Sequence, residues 1–252
     1  MPRRWPIRTS WLALAAAAVF SCSRTATSPT GSSNSPATSA ATDLSTVDIC
    51  HRDTDSSFAR IVIPKATSAT HLGHGDAFPG HFVPGDNSSR LDQRCVITTV
   101  VNATITFRDL TSLGRSVTTF EEDGFRITAV SGDWQEWPTY GAPVPMIIFM
   151  RPPANVDASA EIEVHATEGL LAFASVDLYS SVTPIPYVIR GRLGTNDVLM
   201  MTGIVPNTFG RFAKVANANV PQMLESLYIQ LVNPATPCCK NPTGLDNIVI
   251  RR

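Results

Sequence analysis

The sequence predicts an all-β protein: an antiparallel β-sandwich preceded by a small module rich in Cys and His and by a disordered N-terminal tether. Three observations point there. From about residue 96 onward, short runs rich in Val, Ile, Phe and Thr recur between Gly, Pro, Asn and Asp, which is the rhythm of a sandwich or barrel. Four of the five His lie between residues 51 and 81, in a segment bounded by Cys50 and Cys95. Residues 23–46 hold 13 Ser or Thr among 24 positions and no aromatic residue, too little apolar surface to offset the entropy of ordering. Composition then excludes two classes. With 43% hydrophobic residues the 252-residue chain is too apolar to be disordered throughout, and a net charge of −1 is far from the basic surplus that displaces phosphate counterions. Nucleic acid is not an expected partner.

The N-terminal elements come first. Met1 to Ser21 reads as a signal peptide, with Arg3, Arg4 and Arg8 ahead of the apolar run Trp11 to Phe20. That run is about half the length a membrane-spanning helix needs. It ends in Val19-Phe20-Ser21-Cys22, which resembles the lipobox of bacterial lipoproteins, with Phe20 in place of the usual small residue. The resemblance implies that Cys22 is acylated and becomes the mature N-terminus, because several acyl chains hold a protein on a membrane where one barely does. An ordinary signal with an incidental Cys22 is the alternative. Removal of residues 1–21 leaves 17 basic against 21 acidic residues, a net charge of −4, so the expected membrane attachment is through lipid and not through charge. Residues 22–46 then serve as a flexible tether. The expected location is the bacterial cell envelope, facing the periplasm or the exterior.

The Cys/His module is expected over 47–95. It opens Ile49-Cys50-His51-Arg52, continues through the strand candidate Phe58 to Pro64, and contains His71-Leu72-Gly73-His74-Gly75-Asp76 and then Pro79-Gly80-His81. This arrangement resembles a small module of bacterial surface proteins in which a Cys-His pair, one strand and an HxxHGD sequence recur. The resemblance implies an architecture and no reaction. Two readings compete. His71 and His74, spaced i and i+3, with His51 and Asp76 or Cys50, are candidate ligands of a tetrahedral zinc ion. Alternatively the imidazoles cap turns, and a Cys50–Cys95 disulfide staples a unit too small to hold a core alone. Gly73 and Gly75 favour a turn here over a helix. No HExxH sequence occurs.

The sandwich is expected over 96–252. Strand candidates are Val96 to Phe107, Phe125 to Val130, Val144 to Met150, Glu161 to Ala166, Leu170 to Tyr179, Pro186 to Arg190, Val198 to Ile204, Arg211 to Val215, Ser226 to Val232 and Asn247 to Arg251. Val220 to Leu227 is the one stretch that offers a helical turn. The segments Thr119 to Phe125, Leu171 to Leu178 and Gly244 to Ile250 resemble a bacterial jelly roll related to galactose-binding-like domains. That resemblance implies a jelly-roll-like sandwich whose final strand returns beside the first. It also implies a structural calcium ion held by Glu121 and Asp246, with Asp177 as a third candidate; the alternative is that Asp246 and Asn247 simply end a loop. Carbohydrate binding enters by the same analogy. Trp134, Trp137 and Tyr140, clustered in what reads as a loop, are the candidate ligand platform, unless they cover the end of the sandwich.

With Cys22 acylated, Cys50, Cys95, Cys238 and Cys239 allow three pairings. Cys50–Cys95 with a vicinal Cys238–Cys239 respects the modular layout. No nucleophile elbow, P-loop or GxGxxG sequence occurs. The carboxylate pairs Glu121-Glu122 and Glu161/Glu163 are the remaining candidates for glycoside hydrolysis, and His165 reads as a strand residue. The leading expectation is a non-catalytic binding or interaction module for glycans or another extracellular polymer. A metal-dependent hydrolase built on the His cluster and a purely structural envelope protein are the alternatives.

Overall fold

The computed structural model describes residues 45–141, 144–150, 158–181, 183–206, 211–219, 221–234 and 241–252. The expected signal peptide, Cys22, residues 22–44 of the expected tether, and Cys238 and Cys239 lie outside the described residues.

The N-terminal part is built from short pieces. β1 (Thr46–Arg52) and β2 (Phe58–Pro64) form an antiparallel hairpin. A 3₁₀ turn (Lys65–Thr67) leads into helix α1 (Ser68–Gly73). A turn was expected here, yet Gly73 ends a helix instead of preventing one, and the required left-handed residue is Gly75 at φ +93°. β3 (Phe82–Val83), β4 (Asp86–Leu91) and β5 (Ile97–Thr99) follow as a small antiparallel meander. The buried apolar cluster of this part is Cys50, Ala77, Leu91 and Cys95, with Phe58 and Val83 packed on it. A disulfide joins Cys50 to Cys95, and reciprocal Cys50–Ala77 backbone hydrogen bonds of 2.7 and 3.1 Å tie the hairpin to the turn after α1.

The remaining strands make the sandwich: β6 (Asn102–Ile105), β7 (Thr119–Glu122), β8 (Phe125–Ser131), β9 (Trp134–Trp137), β10 (Met146–Met150), β11 (Ala158–Ala166), β12 (Ala172–Ser180), β13 (Ile185–Leu193), β14 (Asn196–Val205), β15 (Phe212–Ala216), β16 (Ser226–Asn233) and β17 (Pro242–Arg251). They form two antiparallel six-stranded sheets. One runs β14-β13-β16-β11-β8-β7; the other runs β15-β12-β17-β10-β9, with β6 also paired to β17. The last strand therefore lies beside the first strand of its sheet, Ile248 opposite Ile105. Period-two alternation decides which side chains meet. Ala160, Ile162 and Val164 of β11 and Leu227, Ile229 and Leu231 of β16 face Phe173, Val176 and Leu178 of β12 and Leu245, Ile248 and Ile250 of β17 in one core.

Every strand window read from the sequence contains a strand, except that the single strand expected over Val96 to Phe107 is broken into β5 and β6, which belong to different sheets. The helical turn expected at 220–227 does not form over its described residues, 221–227. Leu224 instead exchanges backbone hydrogen bonds of 2.9 and 2.7 Å with Leu171, and its fully buried side chain fills the space above Gly191, where a Cβ would lie 2.5 Å from it. Extended backbone is what brings Leu224 into the core, and that burial overrides local helix propensity. Among the described residues no helix is long and apolar enough to cross a membrane.

Candidate functional site

The aromatic platform expected from Trp134, Trp137 and Tyr140 is rearranged in the fold. The chain crosses from one sheet to the other through Gly132 and Asp133 alone. Gly132 sits at φ +81°, and a Cβ on it would stand 2.3 Å from that of Ala160. What read as a loop is thus a two-residue corner followed by β9. The alternation that starts there sends Trp134 inward. It is 1% exposed, its ring centroid lies 5.2 Å from that of Phe149, and its indole N–H donates to the Ser131 carbonyl at 3.1 Å. Trp134 is a core residue and is not available to a ligand. Trp137, on the opposite face of β9, is half-buried.

Tyr140 joins two rings that sequence reasoning missed. Its centroid is 5.2 Å from Tyr179 and 6.1 Å from Phe212, which are themselves 5.8 Å apart. Strand register explains the meeting. Phe212 pairs with Tyr179, Tyr179 with Gly244, Gly244 with Ile148, and Ile148 with Gln135, a single row across the outer face of the sheet. The next row aligns Lys214, Asp177 and Asp246. Tyr140 leaves the edge strand β9 yet reaches the rings on β12 and β15, so it lies over this outer face. Met146 and Ile148 are buried away from the main core. At the β12–β15 end, Tyr140, Tyr179 and Phe212 remain only partly buried. Burial and the neighbouring Tyr179 raise the Tyr140 phenol above its ordinary pKa, so it is neutral at physiological pH. Beside the rings, the Lys214 ammonium pairs with Asp177 at 2.9 Å. Alternation in β12 places Tyr179 on the same wet face as Asp177, and that much was legible; the identity of the neighbouring strand was not.

The second cluster lies in the N-terminal part. Asp76 is 3% exposed. Its Oδ1 accepts the Arg52 backbone N–H at 2.8 Å. Its Oδ2 lies 3.0 Å from Nδ1 of His51 and 2.7 Å from Nδ1 of His71. Burial alone would raise the Asp76 carboxyl, but the Arg52 amide and the two imidazoles outweigh it and hold the pKa below the ordinary value. The same hydrogen bond to Asp76 raises the pKa of His51. An ionised carboxylate only accepts, so both Nδ1 atoms donate. Three of the expected four metal-ligating residues thus converge. His74, which caps the end of α1 outside the helix, is exposed and stands outside the group.

The calcium set implied by the jelly-roll resemblance is not assembled. Glu121 is on β7 in one sheet, whereas Asp177 and Asp246 are on β12 and β17 in the other. Glu121 pairs with Arg126 at 2.7 Å, and Asp177 is occupied by Lys214 and by the Asn247 amide at 3.0 Å. Among the described residues, the only group of three or more His, Cys, Asp or Glu gathered closely enough for a metal is His51, His71 and Asp76. The hydrolase carboxylates are likewise committed to structure. Glu122 is buried and accepts the backbone N–H groups of Thr106 and Phe107 at 3.0 and 2.7 Å. Glu161 pairs with Arg190 at 2.8 Å, and Glu163 with His165 at 2.9 Å.

A cleft of about 270 Å³ is lined by Phe78, His81 and Phe82 on one side and by Leu193, Val198 and Met223 on the other. Burial in it pushes the His81 imidazole below its ordinary pKa, so His81 is neutral at physiological pH.

No family model matches the chain, and no curated protein matches it. Solved structures similar to it include that of TmCBM61 in complex with β-1,4-galactotriose, at TM-score 0.34 and 11% identity, covering 56% of this chain and 100% of that one. CBM29_1, a family 29 carbohydrate-binding module from Piromyces equi, aligns at TM-score 0.33 and 11% identity over 61% of this chain and 91% of that one. CpGH89CBM32-6 from Clostridium perfringens aligns at TM-score 0.31 and 7% identity over 50% of this chain and 94% of that one.

Proposed function

We propose that this chain is a non-catalytic glycan-binding module, anchored to a bacterial envelope membrane through an acylated Cys22 and a Ser/Thr-rich tether. The observation that carries the binding role is the three-ring patch of Tyr140, Tyr179 and Phe212 on the outer face of the sheet, with the Asp177–Lys214 pair in the adjacent register row. Sugar rings present apolar C–H faces and a rim of hydroxyls. Partly exposed aromatic rings meet the faces, while a carboxylate and an ammonium at fixed positions meet the hydroxyls. The non-catalytic reading is supported by the carboxylates, since Glu121, Glu122, Glu161 and Glu163 each hold a structural partner.

Affinity electrophoresis through gels containing soluble polysaccharides tests the binding role. The protein should be retarded by at least one polysaccharide, and Tyr179→Ala and Phe212→Ala should each migrate as in a blank gel. If no polysaccharide retards the protein, or if both variants are retarded as strongly as the parent, the patch is not a glycan site. For the anchor, Cys22→Ser should move the protein from the membrane fraction to the soluble fraction. Persistence of the variant in the membrane fraction would remove the lipid from the account.

A further inference from the structure

We propose that His51, His71 and Asp76 form a binding site for one divalent zinc-type ion, separate from the aromatic patch. The donor set is two imidazole nitrogens and one carboxylate oxygen, the chemistry that zinc accepts from His and Asp. Convergence is the first argument. Oδ1 of Asp76 already has the Arg52 amide at 2.8 Å, and two imidazoles from different elements are aimed at the single remaining oxygen.

Preorganisation is the second. His51 follows the disulfide-bonded Cys50 on β1, and Asp76 precedes Ala77, whose backbone is paired to Cys50 in both directions. The Asp76 N–H donates to the His71 carbonyl at 3.2 Å, which fixes the end of α1 against the same turn. All three donors are therefore placed by covalent and backbone constraints before any ion arrives. Accessibility is the third. Asp76 is buried at the base, but the side chains of His51 and His71 are 44% and 26% exposed, so an ion can enter from solvent and keep water on its open side.

The geometry needs only a small adjustment. Bonds of about 2.0–2.1 Å in a tetrahedral shell put neighbouring donor atoms roughly 3.3 Å apart. The present Nδ1–Oδ2 separations are 3.0 and 2.7 Å, and all three donor atoms lie within 4.8 Å of one another, so each ring has to draw back from Oδ2 by a few tenths of an ångström to admit an ion. On binding, each neutral imidazole exchanges its Nδ1–H···O hydrogen bond for a nitrogen–metal bond. Its proton leaves Nδ1 for solvent, and a solvent proton is taken up at Nε2, so charge and protons balance. A protonated ring must give up one proton in addition, which makes affinity fall on acidification.

The test uses the full-length, disulfide-intact protein, with zinc as the probe. Equilibrium dialysis followed by elemental analysis should return one zinc per chain, and cobalt should substitute with visible absorption bands of tetrahedral or five-coordinate character. His51→Ala and His71→Ala should each weaken zinc binding by about tenfold or more, while His74→Ala should bind as the parent does. Should an alanine variant lose the Cys50–Cys95 bond or its cooperative melt, His51→Gln and His71→Gln replace it with a side chain of similar reach. Absence of stoichiometric zinc in the parent overturns the proposal. So does unchanged binding in folded His51 and His71 variants, or a loss in His74→Ala as large as theirs.

Discussion

The two parts of this chain reach order by different means. Among the described residues the sandwich buries twenty-eight side chains in one continuous core, and most of its strands follow from alternation. The N-terminal part has a buried cluster of four residues, two of them the sulfurs of one disulfide. Where apolar burial is that small, a covalent link, paired backbone groups and a buried carboxylate with two imidazoles take its place. The polar groups that hold such a unit together are thereby gathered at one point, which is why the candidate metal donors are found there and not in the larger part. In the sandwich, by contrast, buried carboxylates such as Glu122 and Glu161 are held apart, each by its own partners. The ligand candidate there is a patch of rings selected by strand register.

That contrast can be broken most severely at the disulfide. Cys95→Ser opens a loop with a sequence separation of 45, and chain entropy puts the loss at about 4 kcal/mol. Amide hydrogen exchange should rise throughout residues 46–99 while the core strands β11 and β16 stay protected; equal deprotection of both would show that the two parts depend on one another. A smaller effect is expected inside the sandwich from Glu122→Gln. The amide oxygen can keep the Thr106 and Phe107 N–H groups, but the N–H₂ then faces the Thr106 hydroxyl and the Arg108 guanidinium that the second oxygen of Glu122 now meets, at a cost of about 2 kcal/mol in chemical denaturation. Next comes Phe212→Ala, which removes one ring of the patch and should take glycan binding below detection, a weakening of more than about tenfold, or roughly 1.4 kcal/mol, without moving the melting midpoint by more than a few degrees. The smallest effect concerns pH. The folded-state pKa of His81 is depressed by burial, so between that value and its unfolded value of 6.5 the unfolded chain binds more protons. Stability should therefore fall as pH drops through that window, and His81→Gln should flatten this part of a melting-versus-pH curve. A parallel curve for the variant would remove His81 from the acid response.

Much of the fold was legible because alternation is a strong local signal. Glu161 to Ala166 and Phe173 to Leu178 declare one buried and one wet face without knowledge of their neighbours. The misreadings share a cause. Trp134 reads as a loop residue because Gly132-Asp133 looks like the start of a loop; a corner of two residues between sheets is set by contact with Ala160, which no local window contains. Tyr179 and Phe212 lie 33 residues apart in sequence and meet only because β12 and β15 pair in one register. The calcium set failed in the same way, since Glu121 and Asp246 were matched by motif while the topology puts them in different sheets. The His cluster was largely legible because His51, His71 and Asp76 lie within a short segment already bounded by Cys50 and Cys95. His74 was included on spacing, and the end of α1 turns it outward.

One binding experiment separates the two parts most directly. Polysaccharide affinity is measured for the parent protein, for Phe212→Ala and for His71→Ala, each with and without a chelator. Binding by the parent, its loss in Phe212→Ala, and its persistence in His71→Ala and in the chelator are the expected results. Binding that survives in Phe212→Ala, or that disappears with His71→Ala or with the chelator, would contradict the assignment of the glycan to the outer face of the sandwich.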